Sequence, residues 1–274
     1  MSEALSIMLW PILACIVLTG IHVYFGAHVI RRGVIFVDLS LAQVAAFGST
    51  VGFLVGLDLE SVGAYFISLA FALLGAFIFA LARKRESEIP QEAIIGIVYA
   101  VATAAAVLAV ARQPEGAEHI KAILVGSVLT VTPPAVGKTA ALYAIIGLLH
   151  WRWRRPIWRI TTDPEGAGRD GLSVRLWDFL FYGTFAFVVT SSVQIVGVLL
   201  VFALLVVPGA AAILAGYRGA STRLVFGWIF GVVICVGGML ISFLANWPPG
   251  ATIVTLFGAA LVLTGLVTRR GASG

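Results

Sequence analysis

Long apolar runs dominate this chain, and short polar stretches separate them. A helix needs about 20 apolar residues to cross a membrane, and most of the runs approach or exceed that length. They lack the alternation of apolar and polar residues that is typical of β-barrel strands. The pattern therefore predicts an all-α integral membrane protein with about nine transmembrane helices. The predicted helices are 5–30, 34–57, 61–82, 91–111, 135–150, 176–191, 194–217, 224–245 and 251–268. The apolar segment 122–131 is too short to cross, which makes it re-entrant or interfacial.

Composition strengthens this prediction. Of the 274 residues, 60% are hydrophobic and 11% are charged, whereas a soluble domain has about 25% charged residues. The mean hydropathy of +1.04 excludes a water-soluble globular protein. Nine helices leave little chain for anything else, so we expect residues 1–274 to form a single transmembrane domain. A receptor ectodomain and a fused ATPase are both excluded.

The basic residues are distributed unevenly between the two sides of the predicted bundle. Fifteen of the 18 Lys and Arg residues lie in the loops on one side, which are 31–32, 83–85, 152–175, 218–223 and 269–270. The positive-inside rule places these loops in the cytoplasm. We therefore predict a multi-pass protein of the cell (inner) membrane with its N-terminus outside and its C-terminus in the cytoplasm. This placement accounts for the net charge of +5 without a nucleic-acid partner.

The predicted outer loops are too short to capture a dilute solute. They comprise Asp58 to Glu60, Ser191 to Gln194 and Asn246 to Gly250. If the protein transports a solute, another protein must deliver it. The chain also lacks an ATP site: Gly137-Lys138-Thr139 resembles the end of a phosphate-binding loop, but Thr132 occupies the position of the required first glycine.

Asp38 is the most informative carboxylate, because a charged residue inside a span costs about 2.5–3.5 kcal/mol on insertion scales. It either has a function or forms a salt bridge with Arg31 or Arg32. One face of its helix also carries small residues, and Gly48, Gly52 and Gly56 are spaced as in closely packed helix pairs. This face either packs tightly in the bundle or lines a pore.

Three further candidate residues lie within the predicted spans. His22 and His28 are six residues apart, so they point about 120° apart and cannot bind one ion from a straight helix. Each either binds a metal with ligands from another helix or is a hydrogen-bonded buried histidine. An interhelical hydrogen bond is the simplest interpretation of Gln43.

The cytoplasmic segment 160–175 contains a helix start. Asp163 is a suitable N-cap, Pro164 suits the first helical position, and Glu165 places an acid in the first turn. We therefore expect a short helix between two spans. It is either an amphipathic linker or a docking element for a soluble motor.

Several stretches together resemble the membrane permeases of zinc/manganese-type ABC importers. In chain order they are 26–48, the segment that begins with Glu92, ILVGSVLTV at 123–131, Asp163 to Gly171, 196–208, and 247–254. Each match is weak alone, but six in order are specific. The resemblance implies a type II ABC importer permease-like bundle that works as a dimer. It also implies a cytoplasmic ABC ATPase dimer and an extracytoplasmic metal-binding protein as partners.

The resemblance also suggests roles for individual residues. The cargo would be a divalent metal ion (zinc, manganese or iron), with no permanently bound cofactor, no enzyme activity in this chain, and ATP on the partner subunit. The candidate transit residues are Asp38, His22, His28 and Gln43. The candidate residues for coupling to the ATPase are Asp163, Pro164, Glu165, Ala167 and Gly171. Many members of the family have Asp at the position of Leu39 and His at that of Gln43, so the coordination chemistry here differs.

Other functions remain open at this stage. A related ABC permease for a metal chelate, such as a siderophore or cobalamin, fits the same features. A proton-coupled secondary transporter would need internal carboxylates and often has an inverted repeat. Among the candidates we identified, only Asp38 is such a carboxylate, and we find no repeat. An intramembrane hydrolase would need a nucleophile and base, but neither the GxSxG nor the HExxH motif occurs.

Overall fold

The computed structural model describes residues 2–58, 61–83, 89–126 and 128–272, which form eleven α-helices, one 3₁₀ helix and no strand. The helices are α1 (Ser2–Arg32), α2 (Val37–Leu54), α3 (Val62–Ala82), α4 (Gln91–Val110), α5 (Gly116–Val125), α6 (Pro133–Arg152), α7 (Arg154–Thr162), α8 (Pro164–Arg169), α9 (Val174–Leu214), α10 (Ala220–Ala245) and α11 (Pro249–Ala272). The 3₁₀ helix is Val128–Thr130. The predicted loops 58–60 and 83–85 lie partly outside the described residues.

The predicted all-α membrane fold is confirmed, and every predicted run falls on a helix. Seven helices in the described part of the chain are long and apolar enough to cross a membrane. One of them, α9, has 41 residues and is interrupted at Gly197, so it contains both the 176–191 and the 194–217 run. The run 135–150 lies in α6, which has 20 residues. The count of nine helices is therefore approximate.

The predicted outer loop at Ser191 to Gln194 is wrong, because these residues are helical. The hydroxyl groups of Ser191 and Ser192 donate hydrogen bonds to the Val188 carbonyl at 2.9 and 2.7 Å. Their polar groups are thus satisfied within the helix and do not terminate it. The interruption comes instead at Gly197, whose φ of 76° favours glycine.

The end of α5 packs against α9 at this interruption. A Cβ atom on Gly197 would lie 2.5 Å from the backbone nitrogen of Gly126, and a Cβ on Gly126 would meet the backbone of Val196. Two glycines therefore allow the two backbones to touch. The segment 122–131 lies at this junction and comprises the end of α5 and the 3₁₀ helix, so it does not form a spanning helix.

Helix α9 is central and packs against α1, α2, α3, α10 and α11. Helix α2 also packs with α3 and α4, and α1 packs with α10. At the contact between α2 and α3, a Cβ on Gly48 would lie 2.9 Å from the Ser68 Cα atom. The Ser68 hydroxyl donates a hydrogen bond to the Ala45 carbonyl at 2.7 Å. The small residues of α2 thus serve close helix packing at this contact.

Candidate functional site

Asp38 lies in the first turn of α2 and is fully buried. Neither of its carboxylate oxygens has a hydrogen-bond partner among the described residues. A buried ionised carboxylate without a hydrogen-bond partner is costly, because it has lost its hydration. Asp38 is therefore the buried acid that is best placed to accept a cation.

Glu92, in the first turn of α4, approaches the same corner of the bundle. Its Oε1 atom accepts a hydrogen bond from the backbone N–H of Phe36 at 3.1 Å, immediately before α2 begins. Its Oε2 atom is buried without a hydrogen-bond partner in the described structure. Two acidic side chains thus lie in the first turns of two helices that pack against each other, where the helix dipoles favour negative charge. We call Asp38 and Glu92 the carboxylate corner.

Neither of the two arginines considered as partners of Asp38 forms an ion pair with it. Arg32 Nη1 instead donates to Asp178 Oδ1 at 2.8 Å, and Arg83 Nη1 donates to the same oxygen at 2.7 Å. Arg31 lies against the Trp158 ring, with 5.1 Å between Cζ and the ring centroid. The salt-bridge alternative for Asp38 is thus wrong, because Asp178 takes Arg32. We call Arg32, Asp178 and Arg83 the arginine–aspartate cluster.

His22 is fully buried in α1, and its Nδ1 atom lies 2.7 Å from the Leu18 carbonyl. A carbonyl only accepts hydrogen bonds, so Nδ1 carries the proton of the neutral ring. The other nitrogen, Nε2, keeps its lone pair and has no hydrogen-bond partner among the described residues. His22 therefore offers one free nitrogen ligand.

A cavity of about 580 Å³ lies between α3, α6 and α9. The polar residues lining the cavity include Tyr65, Lys138, Thr139, Ser191 and Gln194. The Tyr143 hydroxyl lies 3.1 Å from Ser191 Oγ, and the Tyr143 ring lies edge-on to His22 with 6.5 Å between ring centroids. Ser191, which lines the cavity, is thus hydrogen-bonded to Tyr143, and the Tyr143 ring packs edge-on against the His22 ring.

His28 points to a different element, as the six-residue spacing predicts. Its Nδ1 atom lies 2.9 Å from the hydroxyl oxygen of Thr161 in α7, and Arg32 Nε donates to the same oxygen at 3.1 Å. His28 is therefore a hydrogen-bonded buried histidine that connects α1 to α7.

The four candidate transit residues do not form one metal-binding cluster. Gln43 is buried in α2 near Asp38, while His22 and His28 lie on α1, which packs mainly with α9 and α10. No group of three or more His, Cys, Asp or Glu side chains suited to a metal occurs among the described residues. The arrangement fits separate contact points along a path better than a closed binding site.

The predicted helix start at Asp163 is confirmed. Asp163 Oδ1 accepts a hydrogen bond from the Gly166 N–H at 2.8 Å, and Pro164 occupies the first position of α8. Beyond the helix, Gly171 has a φ of 83°, and the Leu172 N–H donates to the Ala167 carbonyl at 3.0 Å. Both ends of this six-residue helix are thus capped. The C-terminal cap has the pattern of a Schellman motif.

Arg159 stabilises the same segment from α7. Its guanidinium donates to Asp163 at 2.7 Å and to Asp170 at 2.8 Å. The Gly166 N–H and the Arg159 guanidinium hold the pKa of Asp163 below its usual value. Ala167 is fully buried, whereas Glu165 is exposed. The segment therefore has one side that is buried at Ala167 and another side, at Glu165, that is polar and exposed.

Sequence reasoning missed Asp178, Arg83 and Thr161. Asp178 lies inside the predicted run 176–191, so a second carboxylate within an apolar run was a visible signal. Thr161 carried no comparable signal, because its role depends on contacts with α1 that form only in the folded chain. Glu92 was noticed only as part of a sequence match.

The fold resembles that of a chain of known structure. A chain of PsaBC from Streptococcus pneumoniae, solved in complex with a Fab, matches with a TM-score of 0.78 and 23% sequence identity, covering 96% of this chain and 93% of that one. At this identity the match supports the fold alone.

Two sequence relatives cover most of the chain. The manganese transport system membrane protein MntC of Halalkalibacterium halodurans is 26% identical over 89% of this chain and 84% of its own. The chelated iron transport system membrane protein YfeD of Yersinia pestis is 26% identical over 89% and 80%. The model of the ABC 3 transport family matches residues 4–268. This chain therefore belongs to the ABC 3 transport family.

Proposed function

We propose that this chain is the membrane permease of an ATP-driven importer of a divalent metal ion: zinc, manganese or iron. Family membership and a relative named for manganese transport support metal transport. The observation that carries the assignment of the path is Asp38, a fully buried carboxylate with no partner in the described structure. A divalent cation that passes through the bundle needs nearby negative charge, which the Asp38 carboxylate would supply.

In this proposal the carboxylate corner is a transient contact for the ion. Conduction requires binding that is favourable enough for entry and weak enough for release. Two carboxylates with unpartnered oxygens meet the first requirement. The absence of a cluster of three or more metal-binding side chains in the described residues suits the second. Gln43 and His22 are secondary contacts along the path, whereas the hydrogen bond of His28 to Thr161 gives it a structural role.

The energy comes from a separate ATPase dimer in this proposal. Gly137-Lys138-Thr139 lies inside helix α6 and is not a phosphate-binding loop. ATP would bind to the partner subunits, and their closure would open the permease alternately to the two sides. A second copy of this chain and an extracytoplasmic metal-binding protein complete the proposed assembly.

The segment Asp163 to Gly171 is the proposed contact with the ATPase. Its capped ends make it rigid, and α7 holds it to α1. Replacing buried Ala167 with Leu should abolish transport and leave the membrane helices folded. Gly168→Ala is the matched control, because the nearest atom to the added methyl group would be Val174 Cγ2 at 3.8 Å. Normal uptake with Ala167→Leu would contradict this role.

This proposal also requires the predicted orientation. Cysteine labelling at positions 85, 155 and 220 should report the cytoplasm, and position 248 should report the outside. Labelling of position 155, which is exposed in α7, from the outside would overturn both the topology and the docking role of α8.

A permease for a metal chelate is the second candidate, and the relative named for chelated iron transport favours it. The two candidates differ in the cargo that the binding protein delivers. Reconstituted complexes should be tested for ATPase stimulation and uptake with binding protein loaded with zinc, manganese, iron or an iron chelate. Stimulation by a free ion supports the first candidate, and stimulation by the chelate alone supports the second. ATPase activity that no cargo stimulates would refute both.

A further inference from the structure

A second cleft, of about 390 Å³, lies between α1, the end of α9 and the start of α10. Its interior is apolar and includes Val23, Ala27, Ile30, Ile213 and Leu224. Three arginines, Arg31, Arg218 and Arg223, also line it, together with Trp158 of α7. We call this the arginine cleft. It is separate from both the carboxylate corner and the arginine–aspartate cluster.

The three arginines have no carboxylate partner among the described residues, where the ion pairs use other arginines. Arg31 lies against the Trp158 ring. Arg223 Nε donates to the Tyr217 carbonyl at 2.8 Å, which fixes the side chain and leaves its terminal nitrogens available. Guanidinium groups arranged in this way suit a phosphate group, which they can bind through several hydrogen bonds.

The surface beside the cleft is apolar and exposed. Val225 and Trp228, which follow the lining residue Leu224 in α10, are 57% and 42% exposed. In a chain with seven apolar helices of spanning length, such a surface suits the acyl region of a bilayer. Arg31 and the 218–223 loop belong to the side that the charge distribution places in the cytoplasm. The cleft thus combines an apolar interior with cationic groups at the membrane surface.

We propose that the arginine cleft binds one anionic phospholipid of the cytoplasmic leaflet. The headgroup phosphate would contact the three arginines, and an acyl chain would occupy the apolar interior. Basic pockets between transmembrane helices on the cytoplasmic side are suited to such headgroups. A free phosphate would satisfy the arginines but leave the apolar interior empty. The bound lipid would join α1 and α10 to Trp158, one residue before Arg159, which pairs with Asp163 and Asp170.

The test measures lipid retention by the full-length chain in nanodiscs of phosphatidylcholine with increasing phosphatidylglycerol, read by native mass spectrometry. Each of Arg31→Gln, Arg218→Gln and Arg223→Gln should weaken phosphatidylglycerol retention about fivefold, the effect of one basic residue near an anionic surface. Arg154→Gln is the matched control, because its guanidinium lies 4.9 Å from the Trp151 ring centroid, away from the cleft. It should retain the lipid as the unmodified chain does.

A second pair of measurements separates a lipid from free phosphate. Ala27→Leu partly fills the apolar interior without changing charge, so it should weaken phosphatidylglycerol retention, and inorganic phosphate should not displace the lipid. Equal losses in the Arg154→Gln control and the cleft variants would overturn the proposal. So would lipid retention that survives all three arginine substitutions, or a site that inorganic phosphate occupies and Ala27→Leu leaves unchanged. A size-exclusion profile like that of the unmodified chain verifies that each variant is folded.

Discussion

The two fully buried aspartates of this chain, Asp38 and Asp178, have opposite surroundings. Asp178 contacts two arginines at 2.7–2.8 Å, and Arg32 also lies 3.9 Å from the Phe181 ring centroid. Asp38 has no partner for either oxygen in the described structure. One carboxylate is fully compensated, and the other is not.

This difference indicates two different roles. Removing one member of a buried ion pair leaves the other charge uncompensated, so such pairs hold elements in fixed positions. Asp178 therefore fastens α9 to the ends of α1 and α3. An uncompensated carboxylate contributes nothing comparable to stability, and its retention inside a membrane protein indicates function. The same residue type thus serves structure at one site and, in our proposal, transport at the other.

Asp178→Asn should have the largest effect of the changes considered. It leaves Arg32 and Arg83 facing a neutral amide, which should destabilise the folded chain by about 3–5 kcal/mol. Thermal unfolding in detergent would measure the loss. Asp170→Asn is the control, because Asp170 pairs with the exposed side chain of Arg159 and should matter much less. Equal unfolding midpoints for Asp178→Asn and the unmodified chain would refute a structural role.

Asp38→Asn should show the opposite pattern. The amide keeps the size of the side chain but removes its charge, so uptake should be lost while expression, assembly and ATP binding remain. The unfolding midpoint should stay level or rise, since an uncompensated buried charge has been removed. Uptake assays and thermal unfolding on the same preparation provide the comparison. Persisting uptake with a lowered midpoint would make Asp38 a structural residue like Asp178.

Thr161→Val examines how the arginine–aspartate cluster is joined, through α7, to the segment Asp163 to Gly171. The change keeps the shape of the side chain but removes the hydroxyl that contacts His28 and Arg32. We expect several-fold less cargo transported per ATP hydrolysed, with basal ATPase activity retained. Thr161→Ser should restore the ratio.

Thr162→Val is the matched control for this experiment. Thr162 is the next residue, and its hydroxyl donates only within its own helix, to the Trp158 and Arg159 carbonyls. A similar fall in the transport ratio for both valine variants would show that helix α7, and not the Thr161 contact, is responsible.

The sequence predicts the helices well because each apolar run carries its own signal. Membrane spans depend on local length and hydropathy, and the cap at Asp163 depends on three adjacent residues. The interruption at Gly197 is harder to predict, because it depends on the approach of Gly126 from α5. Ser191 and Gln194 appeared to mark a loop, yet they lie within the helix.

Partnerships between charges are not predictable in this way. Arg32 lies six residues from Asp38 but pairs with Asp178, which is distant in the sequence. Proximity in the chain favoured Asp38 as the partner of Arg32, which was wrong. Both aspartates are buried near the ends of helices, so the sequence does not show which of them Arg32 reaches. The sequence identified Asp38 as unusual, whereas its lack of a partner is a property of the folded bundle.

The smallest expected effect concerns Asp163, an exposed aspartate that can be compared with the buried Asp38 and Asp178. The Gly166 N–H and Arg159 lower the pKa of Asp163. The stability that the ionised carboxylate gives to the start of α8 is therefore fully present above the usual aspartate pKa, and it is lost as the pH falls through the lowered value. The hydrogen-exchange protection factor of the Gly166 amide should therefore be constant from pH 8 to about pH 5 and fall only in more acidic solution.

Asp163→Asn keeps an acceptor but cannot titrate, so the protection of the Gly166 amide should be a few-fold lower and independent of pH. Asp163→Ala should lose this protection at every pH. A pH-dependent protection factor in Asp163→Asn would assign the titration to another group.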